Sequence, residues 1–440
     1  MRRKEQKKEI EASTHALDRT CGGYFSPTKE LSALATYAPV SPFSRQLEPM
    51  TSWCIALLFI VFVSKPSFSA PITYNVLSYG AKPNGVKDST QAFLDAWSDA
   101  CGSNKSTVIY VPKGRYMVGS MVFKGVCKSS DIAFRVDGTL VAPADYNVLG
   151  KAKSWLSFEG VSGVSILGGA LDAGGSLLWA CKLGPRSNNC PNGATTLSFT
   201  NSNNIQISGL MSINSQMFHI VINGCQNVHI ERAKVIAAGD SPNTDGIHVQ
   251  YSTNVEIISS SIKTGDDCIS IGPGTKNLWI EHVTCGPGHG ISIGSLGKEL
   301  DEEGVQNVTV KRTIFSGSTN GFRIKSWARP SNGFVQGVRF IGAVMQNVQN
   351  PIIIDQHYCP HNLKCPNRVS GVRINDVMYQ GIRGSSATSI AIMLDCSSKY
   401  PCTNIKLQNV HLTYMNRAAQ SSCANAVGKT LGLVKPDSCL

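Results

Sequence analysis

One short phrase recurs along the chain: Asn or Gly, an aliphatic residue, any residue, then a second aliphatic. It reads NNIQI from 203, QNVHI from 226, TNVEI from 253, KNLWI from 276 and QNVTV from 306. It returns as QGVRF from 336, SGVRI from 370 and TNIKL from 403. The Asn or Gly positions, 204, 227, 254, 277, 307, 337, 371 and 404, lie 23, 27, 23, 30, 30, 34 and 33 residues apart. A period in that range marks stacked repeats that bury a continuous core between neighbours. Within each phrase apolar and polar residues alternate, as on a strand. A second alternating segment follows in most repeats: FHIVING, DGIHVQ, DCISIG, HGISIG, GFRIKSW, PIIID and SIAIML. Turn residues (Gly, Asn, Ser, Asp) separate them, and no amphipathic helix intervenes. Several short strands per repeat without helices give an all-β right-handed parallel β-helix, with Asn able to ladder at its turns.

One helix is expected before the coils. DSTQAFLDAWSDAC, 88–101, opens on a capping-box pattern, Asp88 with Gln91. Ala92, Phe93, Ala96, Trp97 and Ala100 fall on one helical stripe. A solenoid end exposes core and unpaired edges, so this helix reads as an N-terminal lid.

The polar residues that fit this frame least well lie at the starts of the second strands. Alignment on Ile247, Ile269, Ile291 and Ile324 places Asp245, Asp267 and His289 two residues before the first three, at spacings of 22 and 22. Coils stack about 4.8 Å apart, so such residues form a column. Asp266 adds a third carboxylate, and Arg323 and Lys325 two cations on one strand face. Taken singly, NTDG is a good turn, the Asp pair a solvated patch, and the GHG histidine structural. A shared phase is what independent accidents lack. Parity along DDCISIG sends Asp267 toward the core, where a bare carboxylate is costly. The expectation is a strand that starts at or after Cys268, with both carboxylates turned out to a cleft.

The chain has 15 Cys. Beyond residue 70 they fall into close pairs: 101 and 127, 181 and 190, 268 and 285, 359 and 365, 396 and 402, 423 and 439. Cys225 is left over and is expected buried. Local disulfides imply export. No C-x-x-C doublet suggests zinc, so no metal and no cofactor are expected. The apolar run CIALLFIVFV, 54–63, followed by SKPSFSA, reads as a secretory signal over 50–70, cleaved after Ala70. It is short for a bilayer span. Residues 1–49 read as a disordered upstream extension, with translation starting at Met50, and 71–440 as one catalytic domain. The rival is a membrane-anchored protein with a cytoplasmic tail. The formal charge of +12 points to a polyanionic partner. No arginine-rich run with interleaved aromatics favours nucleic acid.

NTDG at 243, GDD at 265, GHG at 288 and RIK at 323, in this order and spacing, resemble the four signature motifs of the polygalacturonases, pectin-cleaving glycoside hydrolases. VPKGRYMVGS from 111 and DQHYC from 355 extend the resemblance across the mature chain. It implies a right-handed parallel β-helix that hydrolyses α-1,4 bonds between galacturonic acid units with inversion. It implies that Asp266 is the general acid and that Asp245 and Asp267 activate water. Inverting enzymes hold acid and base roughly 6.5 to 9.5 Å apart. Crowding should keep a proton for Asp266 to donate. His289 would orient the acids, Arg323 and Lys325 bind substrate carboxylates, Tyr358 line the cleft, and Asn243 contact sugar or orient Asp245. The partner is then pectic polysaccharide, for a secreted monomer with no nucleic acid and no lasting membrane association. The sequons at Asn104 and Asn307 are open to glycosylation. The rivals are a calcium-dependent lyase, a rhamnogalacturonan hydrolase and a non-catalytic pectin-binding wall protein. Endo and exo cleavage stay undivided at this level.

Overall fold

The structure, a computed structural model, describes residues 70–440 apart from 186, 361, 362, 364 and 367. The upstream extension and the signal segment lie outside the described residues. The rest winds as a right-handed parallel β-helix. One stack of eleven strands runs from Met121–Lys124 to Gln420–Ala424, each paired with its neighbour in parallel. A second stack carries the recurring phrase, in strands such as Gln226–Glu231, Thr253–Ile258 and Lys276–Glu281. Shorter strands such as Lys234–Ile236 and Ser261–Lys263 form a third. Among the described residues the only antiparallel pairing closes the C-terminal end, between Cys402–Tyr414 and Arg417–Ala418.

The phrase performs two jobs at each coil. Its Asn takes a left-handed backbone, with φ between 53° and 57° at Asn204, Asn227, Asn254, Asn277 and Asn307. Asn tolerates that region better than other side-chain-bearing residues. Each Asn then donates to the one below: Asn227 Nδ2 to Asn204 Oδ1 at 3.2 Å, continuing to Asn307 on Asn277 at 2.7 Å. The two aliphatics after it point inward. Val228, Ile230, Val255, Ile257, Leu278 and Ile280 are all essentially unexposed. Each contributes on the order of 2 kcal/mol through burial. In the eleven-strand stack the inward Ile247, Ile269 and Ile291 pair in register. The next partner of Ile291 is Phe322, and Ile324 pairs with Ile293. The sequence alignment was therefore two residues out at that coil. The phrase at 370 was also misplaced: Val338 pairs with Val377, so Gly337 is followed by Asp376, with φ 55°, and not by Gly371. The alternation in SGVRIND is ambiguous, and the longer loop before it hides the shift.

The N-terminal helix spans Thr90–Gly102 and buries Phe93 and Trp97. Trp97 stacks on Phe134 at 5.9 Å and meets Phe123 and Phe158 edge-on or tilted. The helix thus closes the first coils. The capping box does not form. Asp88 accepts from the Thr90 amide at 2.8 Å, while Gln91 reaches Asp95 instead. Helices Tyr146–Gly150 and Ser176–Leu183 were not expected; both lie in insertions between coils. All six close cysteine pairs are disulfides, and Cys225 is free and buried.

One interior polar group makes the fold acid-sensitive. His219 is fully buried; its Nδ1 lies 2.8 Å from Ser212 Oγ, and its Nε2 has no partner among the described residues. Burial pushes its pKa down to about 3. The unfolded value is near 6.5. The unfolded chain therefore takes up this proton first, and stability is lost as pH falls from about 6.5 toward 3. The slope reaches roughly 1.4 kcal/mol per pH unit. Between pH 7 and 4.5 the melting temperature should fall more steeply for the native chain than for His219→Gln. Equal slopes would remove His219 as the cause.

Candidate active site

Four consecutive coils build the site at the N-terminal ends of the eleven-strand stack. Turn 240–246 comes first. The turn carrying Asp266 and Asp267 sits on it through hydroxyls: Thr244 Oγ1 lies 2.6 Å from both Ser241 Oγ and Thr264 Oγ1, and Thr264 also bonds the Thr244 carbonyl. The Gly246 amide donates to the Asp267 carbonyl at 2.9 Å, and the His289 amide to that of Asp266 at 2.7 Å. The motif glycines follow from this closeness. A Cβ on Gly265 would stand 2.3 Å from the Ser241 backbone, and one on Gly246 2.5 Å from the Cys268 carbonyl. The Cys268–Cys285 disulfide ties the coil behind the acid pair to the next.

The strand begins at Ile269, as the parity problem required. Both carboxylates turn away from the aliphatic core, but they are not both open. The Asp266 side chain keeps 19% of its surface, and its Oδ1 lies 3.0 Å from His289 Nδ1. Asp267 is only 1% exposed. Its Oδ1 accepts from Ser292 Oγ at 2.8 Å and Arg323 Nη2 at 2.7 Å, and its Oδ2 from Lys325 Nζ at 2.9 Å. The expectation that both acids line the cleft openly is thus corrected: the cations lie over Asp267 and cover it. Burial alone would raise its pKa, but Lys325 and Arg323 outweigh that and hold it down to about 2.

Asp245 shows the opposite balance. It is buried, and desolvation together with the charges of Asp266 and Asp267 pushes it well above the ordinary carboxylate range, against Ser270 and Lys325.

Lys325 Nζ lies 5.1 Å from the centre of the Tyr358 ring, within cation–π reach. Tyr358 in turn meets Trp327 edge-on at 5.5 Å. Asn243 is exposed at a left-handed turn, φ 54°. Among the described residues nothing links its side chain to Asp245. Three residues of the floor escaped the sequence reading. They are His248, Ser270 and Ser292, register partners on the outward face in line with Arg323, which the sequence had already singled out. Ser292 braces both Asp267 and Arg323, and His248 Nδ1 lies 2.8 Å from Ser270 Oγ. With Arg323 they occupy the middle position of IHV, ISI, ISI and FRI, a visible alternation that points outward. Asp266, Asp267 and His289 offer ligand atoms within 4.8 Å of one another. Three of the roughly four Asp267 acceptor positions are already filled, two of them by cations, which repel a metal ion.

A parallel β-helix that gathers three carboxylates, an imidazole and two braced cations on one face is built as a carbohydrate-cleaving enzyme. Residues 101–435 match the glycosyl hydrolases family 28. The chain belongs to that family and is a glycoside hydrolase. It is 59% identical over 383 residues to a polygalacturonase of Prunus persica, covering 87% of this chain and 97% of the relative. It is 40% identical over 360 residues to an exopolygalacturonase of Platanus acerifolia, covering 81% and 95%. The endo-xylogalacturonan hydrolase of Aspergillus tubingensis shares the fold, with TM-score 0.71 and 24% identity over 82% of this chain and 99% of that one.

Proposed function

We propose that the chain hydrolyses α-1,4-galacturonosyl bonds of pectin, with inversion. Asp266, the exposed acid of the trio, carries this reading: it stands on His289 beside a clamped, ionised Asp267. Asp266 protonates the glycosidic oxygen as the bond to the anomeric carbon breaks. Water adds to that carbon from the opposite side and gives its proton to the ionised partners. A carboxylate offers about four acceptor positions. Asp267 fills two on Oδ1 and one on Oδ2, so one on Oδ2 is left for the water. Asp245 is the second water-activating carboxylate. His289 orients Asp266.

Arg323 and Lys325 against one ionised Asp267 leave a net positive charge. That charge suits the carboxylate of a uronic acid unit. Tyr358 and Asn243 border the sugar. The overall basic balance suits the same polyanion.

Export fits the six disulfides. Among the described residues no helix is long and apolar enough to cross a membrane. The same reading makes 50–70 a removed signal, places the enzyme in the cell wall as a monomer, and leaves it without a nucleic-acid partner.

Incubation with polygalacturonic acid and product sizing tests the activity. A ladder of saturated oligomers marks internal cutting, and monomer alone marks cutting from an end. Unsaturated products or none would overturn hydrolysis.

A further inference from the structure

The strand Asn320–Trp327 leads away from the acids. Successive residues of a strand alternate between faces, so Arg323, Lys325 and Trp327 form one line; the chain then bends, the Arg329 amide donating to the Trp327 carbonyl at 2.8 Å. The Arg329 guanidinium lies 5.2 Å from the Trp327 ring. Beyond it opens a pocket of about 380 Å³ lined by Lys298, Leu300, Arg329, Pro330, Pro366 and Arg368. Three coils contribute its cations. Lys298 and Arg329 come just after the strands Ile291–Leu296 and Asn320–Trp327, and Arg368 lies beyond the strand Asn350–Tyr358.

None of Lys298, Arg329 and Arg368 forms an ion pair among the described residues. Two of the nearby acids are occupied elsewhere. Glu302 accepts from the Gly297 and Lys298 amides, and Asp301 from Asn332 Nδ2. The frame is tied down. The Asn332 amide donates to the Leu300 carbonyl at 2.7 Å, and the Gly371 amide to that of Arg329 at 2.8 Å. The Cys359–Cys365 disulfide closes the segment that leads to Arg368. Three cations that make no ion pair among the described residues, gathered around one pocket, are a site for an anion.

We infer that this pocket is a distal subsite for the carboxylate of a further uronate unit on the same polysaccharide, reached along Tyr358 and Trp327. The extended stretch from Arg323 to Trp327 covers roughly 13 Å, and the pocket lies past its end. A chain must therefore be several sugars long to touch the acids and the pocket together. The inference rests on the proposed activity on galacturonan. It predicts affinity that grows with chain length and weakens with salt.

The test compares trigalacturonate with polygalacturonate on the native chain and on the triple variant Lys298→Gln/Arg329→Gln/Arg368→Gln. Three exposed ion pairs together are worth about tenfold in affinity. KM for polygalacturonate should rise about tenfold at low salt, with kcat within about twofold. kcat/KM for trigalacturonate should change by less than about twofold, which also shows that the variant is folded. Lys298→Gln/Arg368→Gln, which keeps the stack on Trp327, should show a smaller loss of the same kind. Equal losses on both substrates, or none, would overturn the subsite while leaving the hydrolase reading intact. A native chain that cuts neither substrate overturns both.

Discussion

Asp266→Asn should lower kcat on polygalacturonate by about 10³-fold and leave KM within about threefold. A positioned general acid is worth roughly 10² to 10⁴ in rate. Asn is nearly isosteric but has no proton to give the leaving oxygen. The fold should be indifferent. The Asp266 carbonyl, which accepts from the His289 amide, belongs to the backbone. Among the described residues the side chain accepts from the Asp267 amide and lies 3.0 Å from His289 Nδ1, at a partly open position, and an Asn side chain can replace it there. Steady-state kinetics with a thermal melt check both halves. A variant that retains more than a tenth of native kcat would show that the leaving oxygen draws its proton from elsewhere.

Lys325→Met should cost about 3 to 5 kcal/mol of stability, the usual penalty for removing one partner of a buried pair. Met fills much the same volume, so the loss is electrostatic. Asp267 is left almost wholly buried with Arg323 alone, and its pKa must rise from about 2. The native Asp267 lies below its unfolded value near 3.9, so its contribution is full above that value and disappears as pH falls through about 2. In the variant the acid limb of stability and activity should move to higher pH. Adding Asp267→Asn removes the stranded charge and should restore most of the melting temperature without restoring catalysis. Melts from pH 3 to 7 on native, single and double variants decide it. A single variant that melts like the native chain would mean that solvent reaches Asp267 and the clamp is not buried in solution.

Much of the fold was legible because Asn serves a backbone need and a side-chain need at the same position. A left-handed turn and a ladder bond leave few other choices, so the letter itself recurs. Where Gly337 or Asp376 takes the position, the letter changes, and the reading slipped to Gly371. The column of site residues was legible for the same reason, as the turns holding Asp245, Asp266 and His289 are locked by backbone bonds. What single residues could not show was depth. Asp267 and Asp266 are neighbours in sequence, yet one is clamped beneath two cations and the other meets solvent. That difference depends on the reach of Arg323 and Lys325 across coils, which no spacing encodes. Ser292 was missed because serine in an alternating strand looks like ordinary outward filler until its partners are known.

The disulfides bear on how the chain is made. Among the described residues the bridged cysteines are separated by 26, 9, 17, 6, 6 and 16 positions, and no bridge joins distant coils. Each cysteine finds its mate within roughly one turn of the solenoid. Oxidation can therefore proceed vectorially as the chain emerges, each crosslink sealed before the next pair arrives. A thirteenth thiol in the described chain, Cys225, is enclosed in its own coil between the second and third of those events and is withdrawn from exchange as that coil closes.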